Sequence, residues 1–337
     1  MAEQNQKDSA VVCDACGLRR LKVLKFGGSS LGTSNGLINA TEILTDAAAE
    51  SRAVAVASAV SGVTNKLIEL EIDWNRGDDE RIRRHIAWLR ERHLDLASSV
   101  LDTDRFIDFS ATVDRQLRWL STVIQHNPND LSAVDGILAV GERLSVPLLS
   151  SLLDQWGLKS RPVDSTPLVR TNSNFGNARI DMDATTELLS AWFRGLATSV
   201  TPVVTGFLGS TSDGRTTTLG RSGSDYSASA VAVALGAHVV ERWTDTDGVY
   251  SANPREDATA VHLPSLSLRD AIRRHRETGL GIHPKALDML EEAAIPLHVR
   301  STHSRQRQGS WILPHLEDRP AQPCKCDWAV IARQSAF

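Results

Sequence analysis

The chain contains short apolar segments that end in glycine and hydroxyl residues, and this shared feature limits the fold more than any other. The run 21–26 is followed by Gly-Gly-Ser-Ser, and the small-apolar run 53–60 leads into Ser-Gly-Val-Thr-Asn. Continuous runs of this kind are typical of strands buried on both faces of a parallel sheet. Helical periodicity follows the first run, with apolar residues on one stripe over 37–44.

Strands and helices alternate along most of the chain. The segment 64–156 is rich in helical periodicity and too long for one crossover, so we expect a helical subdomain above the sheet. Further predicted elements are three strands, a β-hairpin and a helix, at 159–163, 202–208, 239–243, 209–219 and 222–235. The alternation predicts an α/β fold with a mostly parallel sheet and helices on both faces.

Composition and charge argue against several classes of protein. The 337 residues carry a formal net charge of -4, which gives no electrostatic reason to expect a nucleic acid or an anionic membrane as a partner. No uninterrupted apolar run reaches the ~18 residues that a membrane span needs. The polar N-terminus lacks the apolar region of a secretion signal. We therefore expect a cytoplasmic protein.

The four cysteines form two terminal pairs, Cys13 with Cys16 and Cys324 with Cys326. Two thiolates on a tight turn can share one tetrahedral zinc ion, although the second pair is one residue shorter than a usual C-x-x-C half-site. Two interpretations stay open. The pairs form a zinc site between the tails, or they are surface thiols kept reduced in the cytoplasm.

The first candidate binding segment is the turn after the run 21–26. Lys25 supplies a full positive charge, while Gly27 and Gly28 let backbone N–H groups converge on an anion. Ser29 then opens a predicted helix, whose N-terminus adds partial positive charge. The pattern differs from a Walker loop. The turn can bind phosphate, or it can be purely structural.

Two further segments place polar side chains after predicted strands. Ser58 and Thr64 follow the second apolar run, and the segment 216–225 contains Arg221 and Asp225. An arginine can hold a carboxylate bidentately, and Asp225 can cap a helix or hold a lysine ammonium. Ligands of open α/β sheets bind at the carboxyl ends of strands, so these turns can face one crevice. Helix capping and a solvated loop are the competing interpretations.

A fourth segment, 243–255, leads from a strand through an Asp-Gly turn to Asn-Pro-Arg. Taken together and in this order, five segments resemble the catalytic domain of aspartokinases over about residues 21–313: KFGGSS, SAVSGVTN, GERLS, TTTLGRSGSDYSA and WTDTDGVYSANPR. The resemblance implies the amino-acid kinase fold, a three-layer α/β/α sandwich. It also implies transfer of the γ-phosphoryl group of ATP to the side-chain carboxylate of L-aspartate.

The resemblance also implies a role for individual residues. Lys25 would stabilise the transferring phosphoryl group and Asp225 would position that lysine, while Mg²⁺ would bridge the ATP oxygens with few protein ligands. The amino-acid site would comprise Ser58, Thr64, Glu142, Phe207, Arg221 and Ser224. The ATP site would comprise Gly27, Gly28, Ser29, Thr244, Asp245, Tyr250 and Arg255.

A domain division follows from the same resemblance. Residues 21–313 would form one catalytic domain, with the helix-rich insertion at about 64–156 and the nucleotide-binding part at about 205–313. Residues 1–20 and 314–337 would be tails. The chain ends about where paired regulatory ACT modules would begin in aspartokinases, so we expect no feedback by lysine or threonine, unless a partner chain regulates the enzyme. A homodimer is the expected assembly.

The chain departs from the aspartokinase pattern at one lysine. The family usually carries Gly-Ala-Lys-Val-Leu-His-Pro, whose lysine faces the ATP phosphates, and here Leu280 stands at the lysine position. Lys285 follows closely in a Gly-x-x-Pro-Lys turn like that of other amino-acid kinases. We predict that Lys285 supplies the missing charge, and a structural lysine at a helix start is the alternative. Ser222 stands where many members have glycine.

Two other functions stay open. The chain can be a kinase for another amino-acid carboxylate, such as glutamate or an N-substituted aspartate. It can also be a weakly active subunit that binds nucleotide or amino acid and regulates a partner, which Leu280 and the missing modules would explain. Glu142 and Arg221 favour a substrate with a free ammonium and a free α-carboxylate.

Overall fold

The computed structural model describes residues 20–126, 130–254 and 256–314, and an eight-stranded sheet runs through its centre. Among these residues the strands are β1 (Leu21–Phe26), β2 (Arg52–Ala57), β3 (Ser160–Val163), β4 (Thr201–Thr205), β5 (Leu208–Ser210), β6 (Thr216–Thr218), β7 (Val239–Thr244), β8 (Val249–Tyr250), β9 (His262–Leu263), β10 (Ser265–Ser267), β11 (Leu297–Ser301) and β12 (Ser310–Leu313).

The helices cover both faces of this sheet. In the same residues they are α1 (Gly28–Leu31), α2 (Ser34–Glu50), α3 (Val63–Asn75), α4 (Asp79–Ser98), α5 (Thr103–His126), α6 (Leu131–Leu138), α7 (Val140–Gln155), α8 (Met182–Arg194), α9 (Gly223–Leu235), α10 (Leu268–Thr278) and α11 (Pro284–Ala293). Side chains cap several of them. Thr33 accepts from Gly36 N at the start of α2, and Gly236 ends α9 in the left-handed conformation.

The sheet order is β10-β12-β11-β7-β1-β2-β4-β3, and each neighbouring pair is parallel except β11 with β12. From β1 the chain crosses to β2 on one side, while β7 and β11 lie on the other side of β1. The strand order therefore changes direction between β1 and β7. In open α/β sheets such a switch point leaves a crevice outside the carboxyl ends of the strands, where ligands bind.

Alternating side chains of the central strands feed two separate cores. Leu24 and Phe26 of β1 pack into a core with α2, α3, α4, α5 and α7, whereas Leu21 and Val23 pack into a core with α8, α9, α10 and α11. The period of two is that of a strand buried on both faces. The α/β class and the three-layer α/β/α sandwich with a mostly parallel sheet are confirmed.

Two predicted strands end earlier than the apolar pattern indicates. The run 53–60 is a strand only to Ala57, and the run 202–208 breaks after Thr205. The second break occurs because Phe207 has a φ of 67°, in the left-handed region that strands cannot use. Leu208 then starts the predicted β-hairpin of β5 and β6. The helix-rich segment 64–156 corresponds to α3 through α7.

One helical stretch within the described part of the chain, Leu131–Gln155, is long and apolar enough to cross a membrane by length and composition. It combines α6 and α7, and Glu142 and Arg143 interrupt its apolar run in the sequence. Of its most apolar window, 78% is buried inside the protein. Core helices pass the same test, so the stretch is explained by its packing against β3, β4 and α5.

We expect Leu24→Ala, in the centre of β1, to lower the free energy of unfolding by about 2–5 kcal/mol, because it leaves a cavity in a closely packed core. The same change at Leu131, which is 67% exposed, should cost no more than about 0.5 kcal/mol. Urea unfolding of both variants measures the difference. Equal losses at the two positions would show that the β1 core is packed differently.

Candidate active site

The candidate active site lies at the switch point, near the carboxyl ends of β1 and β7. Lys25 of β1 lies in register with Arg242 of β7, and both side chains reach Asp225 in the first turn of α9. Nζ of Lys25 is 2.7 Å from Oδ1 of Asp225, and Nε of Arg242 is 3.3 Å from the same oxygen. Two cations of neighbouring strands thus share one carboxylate.

The three charges of this cluster are largely removed from water. Lys25 and Asp225 are 7% and 5% exposed. Burial lowers the pKa of the Lys25 ammonium, and the nearby charge of Arg242 lowers it further, against the attraction of Asp225. Burial by itself would raise the pKa of the Asp225 carboxyl, but the charges of Arg242 and Lys25 outweigh it and hold that pKa below its usual range. The cluster carries one positive charge in excess, which suits an anionic ligand.

A cavity of about 610 Å³, here called the Glu142 cavity, opens beside this cluster. Its lining is Ser58, Thr64, Asn65, Ile68, Leu138, Glu142, Gly176, Phe207, Thr218, Gly220, Arg221, Ser222, Gly223 and Ser224. The structure therefore brings together all six residues predicted for the amino-acid site.

Glu142 is the buried acid of this cavity. Its Oε1 accepts a hydrogen bond of 3.0 Å from the backbone N–H of Ala59, while its Oε2 has no hydrogen-bond partner among the described residues. Burial raises the pKa of the Glu142 carboxyl to about 8, against the hydrogen bond from Ala59 and the charge of Lys25. A buried acceptor without a partner is costly, so a cation or donor bound in the cavity would be stabilised here.

Backbone geometry holds the other walls of the Glu142 cavity in place. Asp135 of α6 accepts from Thr218 N at 2.7 Å, from Thr218 Oγ1 at 2.8 Å and from Gly176 N at 2.9 Å. A Cβ added to Gly206 would lie 2.6 Å from Cβ of Ser224, so only glycine lets β4 approach α9 so closely. Ser222, the N-cap of α9, has a φ of 60°, in the left-handed region that glycine adopts more readily than serine.

A second cavity, of about 410 Å³ and here called the Tyr250 cavity, lies on the other side of the charged cluster. Its lining is Arg242, Thr246, Gly248, Val249, Tyr250, Ala252, Asn253, Pro254, Glu256, Gly279, Leu280, Gly281 and Val299. The charged cluster connects residues of the two cavities, since Ser224 lines the first, the next residue Asp225 binds Arg242, and Arg242 lines the second.

Of the described residues predicted for ATP, Tyr250 lines the Tyr250 cavity, whereas Thr244, Asp245 and the turn 27–29 are not among its lining residues. The hydroxyl of Tyr250 donates to Asp247 at 2.6 Å, and Thr244 donates to Asp245 at 3.0 Å just before the cavity wall. Gly27 N donates to Trp243 O at 3.2 Å, which ties the glycine turn to β7.

Gly28 and Ser29 form the first turn of α1. A Cβ added to Gly28 would meet the carbonyl oxygen of Ala59 at 2.8 Å, so this turn packs directly on the loop that follows β2. Arg255 and the four cysteines Cys13, Cys16, Cys324 and Cys326 lie outside the described residues, and so do the two predicted tails except Arg20 and Pro314.

Lys285 occupies a different place from Leu280. Its Nζ lies 5.6 Å from the ring centre of Tyr226 and 3.5 Å from Oδ1 of Asn177. It lines a cavity with Arg179 and Met289, whereas Leu280 lines the Tyr250 cavity. Its backbone N–H donates to Nδ1 of His283, the N-cap of α11. Its predicted catalytic role stays a prediction.

Two residues of the site escaped the sequence analysis. Arg242 precedes Trp243 in the strand segment VVERWT, where two charged residues, Glu241 and Arg242, interrupt an apolar strand, and that interruption is a usable signal. Asp135 lies in a helix whose sequence gives no sign that the carboxylate is buried at 1% exposure. Its partners Gly176 and Thr218 are distant in sequence.

The sequence model of the amino acid kinase family matches residues 20–301, which is most of the chain. The chain belongs to the amino acid kinase family. It is 31% identical over 304 residues to the bifunctional aspartokinase/homoserine dehydrogenase 2, chloroplastic, of Arabidopsis thaliana, with 88% of this chain and 32% of the relative covered. It is 28% identical over 307 residues to the lysine-sensitive aspartokinase 3 of Escherichia coli, with 90% and 66% covered.

A solved structure supports the same relationship. The E. coli aspartokinase III in complex with aspartate and ADP, in its R-state, has a TM-score of 0.81 and 26% identity to this chain, with 89% of this chain and 66% of that chain covered. This chain thus spans about a third of the length of the bifunctional relatives and just under two thirds of the E. coli enzyme.

Residues 20–126, 130–254 and 256–314 contain no group of three or more His, Cys, Asp or Glu side chains that could hold a metal ion. A metal at this site would therefore need ligands from a bound anion as well. The Oδ2 atom of Asp225 is buried and has no hydrogen-bond partner among the described residues, so it is a protein oxygen that fits such a shared metal.

The raised pKa of Glu142 gives a prediction about stability. Between pH of about 4.5 and 8 the folded chain binds more protons at this carboxyl than the unfolded chain does, so its contribution to stability falls as the pH rises. We expect the free energy of unfolding of Glu142→Gln, taken relative to that of the wild type, to be higher at pH 9 than at pH 5. Urea unfolding of both proteins at the two pH values measures this difference. Glu80→Gln, the same change at a side chain that is 75% exposed, is the control. Parallel pH profiles of the wild type and Glu142→Gln would contradict a buried, neutral Glu142.

Proposed function

We propose that the chain is an aspartate kinase, which transfers the γ-phosphoryl group of ATP to the side-chain carboxylate of L-aspartate and releases 4-phospho-L-aspartate and ADP. The observation that carries the proposal is the buried Oε2 of Glu142, which has no hydrogen-bond partner among the described residues and belongs to a side chain in the same cavity as Arg221. Relatives named aspartokinase, and the solved neighbour in complex with aspartate and ADP, support the same substrates.

The charges of the Glu142 cavity match those of aspartate. Glu142 would bind the ammonium, and Arg221 would bind the α-carboxylate bidentately. The side-chain carboxylate would then lie toward Lys25, beside Ser58 and Thr64. Phe207 and Ser224 would wall the site. An N-acylated aspartate has no ammonium, so it would lack the positive charge that favours the ionised form of Glu142, which disfavours it.

The transfer itself needs positioning and charge neutralisation more than a base. One oxygen of the substrate carboxylate bonds to the γ-phosphorus while the bond from that phosphorus to the bridging oxygen breaks, and ADP leaves. No proton has to be removed, because the attacking carboxylate is already an anion. Lys25 stabilises the charge of the transferring group, and Asp225 holds Lys25 in place at 2.7 Å.

ATP would occupy the Tyr250 cavity, with its phosphates toward the charged cluster. Tyr250 lines this cavity. Residues predicted to frame the nucleotide or cradle its phosphates are Gly27, Gly28, Ser29, Thr244, Asp245 and Arg255. Mg²⁺ would be held by the ATP oxygens and by Oδ2 of Asp225, and it would neutralise phosphate charge there.

We also propose that residues 21–313 form one catalytic domain, with the nucleotide-binding part at about 205–313. This division fits the two cavities, because the Tyr250 cavity is lined only by residues from Arg242 onward in the described part of the chain. A cytoplasmic location and a homodimer complete the proposal.

Hydroxamate formation coupled to ADP release tests the function directly. We expect the purified chain to turn over L-aspartate and to leave L-glutamate and N-acetyl-L-aspartate largely unreacted. The acetylated amine offers no ammonium to Glu142, and the longer side chain of glutamate would place its carboxylate differently in the cavity. ADP release with none of the three acids would contradict the proposal and favour a regulatory subunit. Preference for glutamate would change the substrate.

Two variants separate binding from chemistry in the same assay. Arg221→Gln should raise the KM for aspartate about 10–100-fold with little change in kcat, because a charged hydrogen-bond pair to the substrate is lost. Lys25→Met should lower kcat by at least about 100-fold. An unchanged KM for aspartate in Arg221→Gln would remove Arg221 from the substrate site.

A further inference from the structure

We propose that Arg242 is a catalytic residue whose guanidinium contacts the terminal phosphates of the nucleotide. The inference rests on the proposed function in one respect only, namely that the Tyr250 cavity binds ATP. The proposal places the cation that faces the phosphates on strand β7. None of the sequence motifs discussed above predicted a phosphate-binding role for Arg242.

The walls of the Tyr250 cavity identify the residue. Among the described residues that line it, two side chains are charged, Arg242 and Glu256, so Arg242 is the cation of that set. The other lining side chains in that set are uncharged. A polyphosphate with several negative charges requires a positive partner inside a cavity of this size, and a guanidinium matches phosphate oxygens bidentately.

The contacts of Arg242 hold its side chain at the junction of the two cavities. Nε lies 3.3 Å from Oδ1 of Asp225, and one terminal nitrogen donates to the carbonyl oxygen of Gly281 at 2.9 Å. The side chain is 17% exposed, so it is fixed on two sides and still reaches the cavity. Because Lys25 binds the same oxygen of Asp225, the two cations are held close together. In this arrangement one cation can stabilise the transferring γ-phosphoryl group while the other stabilises the phosphates of the leaving ADP.

The neighbourhood of Leu280 supports the assignment. Leu280 and Gly281 line the same cavity as Arg242, and Arg242 donates to the residue directly after Leu280. An apolar side chain therefore faces the cavity where the family pattern has a lysine, and a guanidinium is tied to that same loop from the adjacent strand. Lys285, by contrast, lines a different cavity with Arg179.

The test compares Arg242→Gln, Lys285→Ala and the double variant Arg242→Gln with Leu280→Lys. We expect Arg242→Gln to lower kcat by at least about 100-fold, as loss of a charge-stabilising donor does, and to lose more than Lys285→Ala. The added lysine of the double variant should recover at least about tenfold, because it restores a cation to the same cavity. Thermal melting checks that each variant is folded.

Calorimetric binding gives a readout that does not depend on turnover. Arg242→Gln should weaken binding of a non-hydrolysable ATP analogue about tenfold or more and leave adenosine binding unchanged, because only the phosphates meet the guanidinium. This measurement separates the two proposals. If the wild type phosphorylates no acid and Arg242→Gln still shows this phosphate-specific loss, the aspartate kinase proposal fails and the assignment of Arg242 stands.

Arg52→Gln is the matched control, since Arg52 is also a partly buried strand arginine. Arg52 begins β2, at the amino end of the parallel strands, where its guanidinium stacks 3.6 Å from the ring centre of Phe193 and donates to the carbonyl oxygens of Phe193 and Leu196. It should lose stability and keep the wild-type preference for the ATP analogue over adenosine. Equal weakening of both ligands in Arg242→Gln, no recovery by Leu280→Lys, or a larger loss in Lys285→Ala would each overturn the assignment.

Discussion

The sharing of one carboxylate oxygen by Lys25 and Arg242 is the interaction on which the site depends. Asp225 holds both cations within 3.3 Å, in a region from which water is largely excluded. Removal of one partner from a buried ionic cluster typically costs about 3–5 kcal/mol, because the remaining charges are left uncompensated. Without Asp225, two buried cations would repel each other at the place where we propose that the phosphoryl group is transferred. The cluster therefore holds its excess positive charge in a fixed position.

The topology explains why the cluster forms where it does. Lys25 and Arg242 come from the two strands between which the strand order reverses, and they lie in register there. Helix α9 crosses the same face of the sheet and brings Asp225 and Ser224 to the carboxyl edge. The Glu142 cavity, which we propose for the acceptor, and the Tyr250 cavity, which we propose for the nucleotide, therefore lie near one switch point, with the charged cluster between them.

The sequence predicted the layers of the fold, and it singled out residues that the structure brings together in one cavity. Buried strands such as 21–26 have an unambiguous apolar pattern, and the six residues proposed for the substrate do line one cavity. The sequence did not predict the features that depend on contacts between residues far apart along the chain. The position of Arg242 beside Leu280 follows from the register of β7 and from the loop before α11. The positive φ of Phe207 comes from the close packing of the loop after β4 against α9. No local sequence propensity shows this packing.

A crystal structure with L-aspartate and a non-hydrolysable ATP analogue would test the central claim most directly. The ammonium of aspartate should lie within hydrogen-bond distance of Oε2 of Glu142, and the γ-phosphate should lie between Lys25 and the side-chain carboxylate. Two results would contradict transfer at this cluster. In one, the nucleotide binds outside the Tyr250 cavity. In the other, the Lys25–Asp225 pair separates aspartate from the nucleotide and leaves no opening between them.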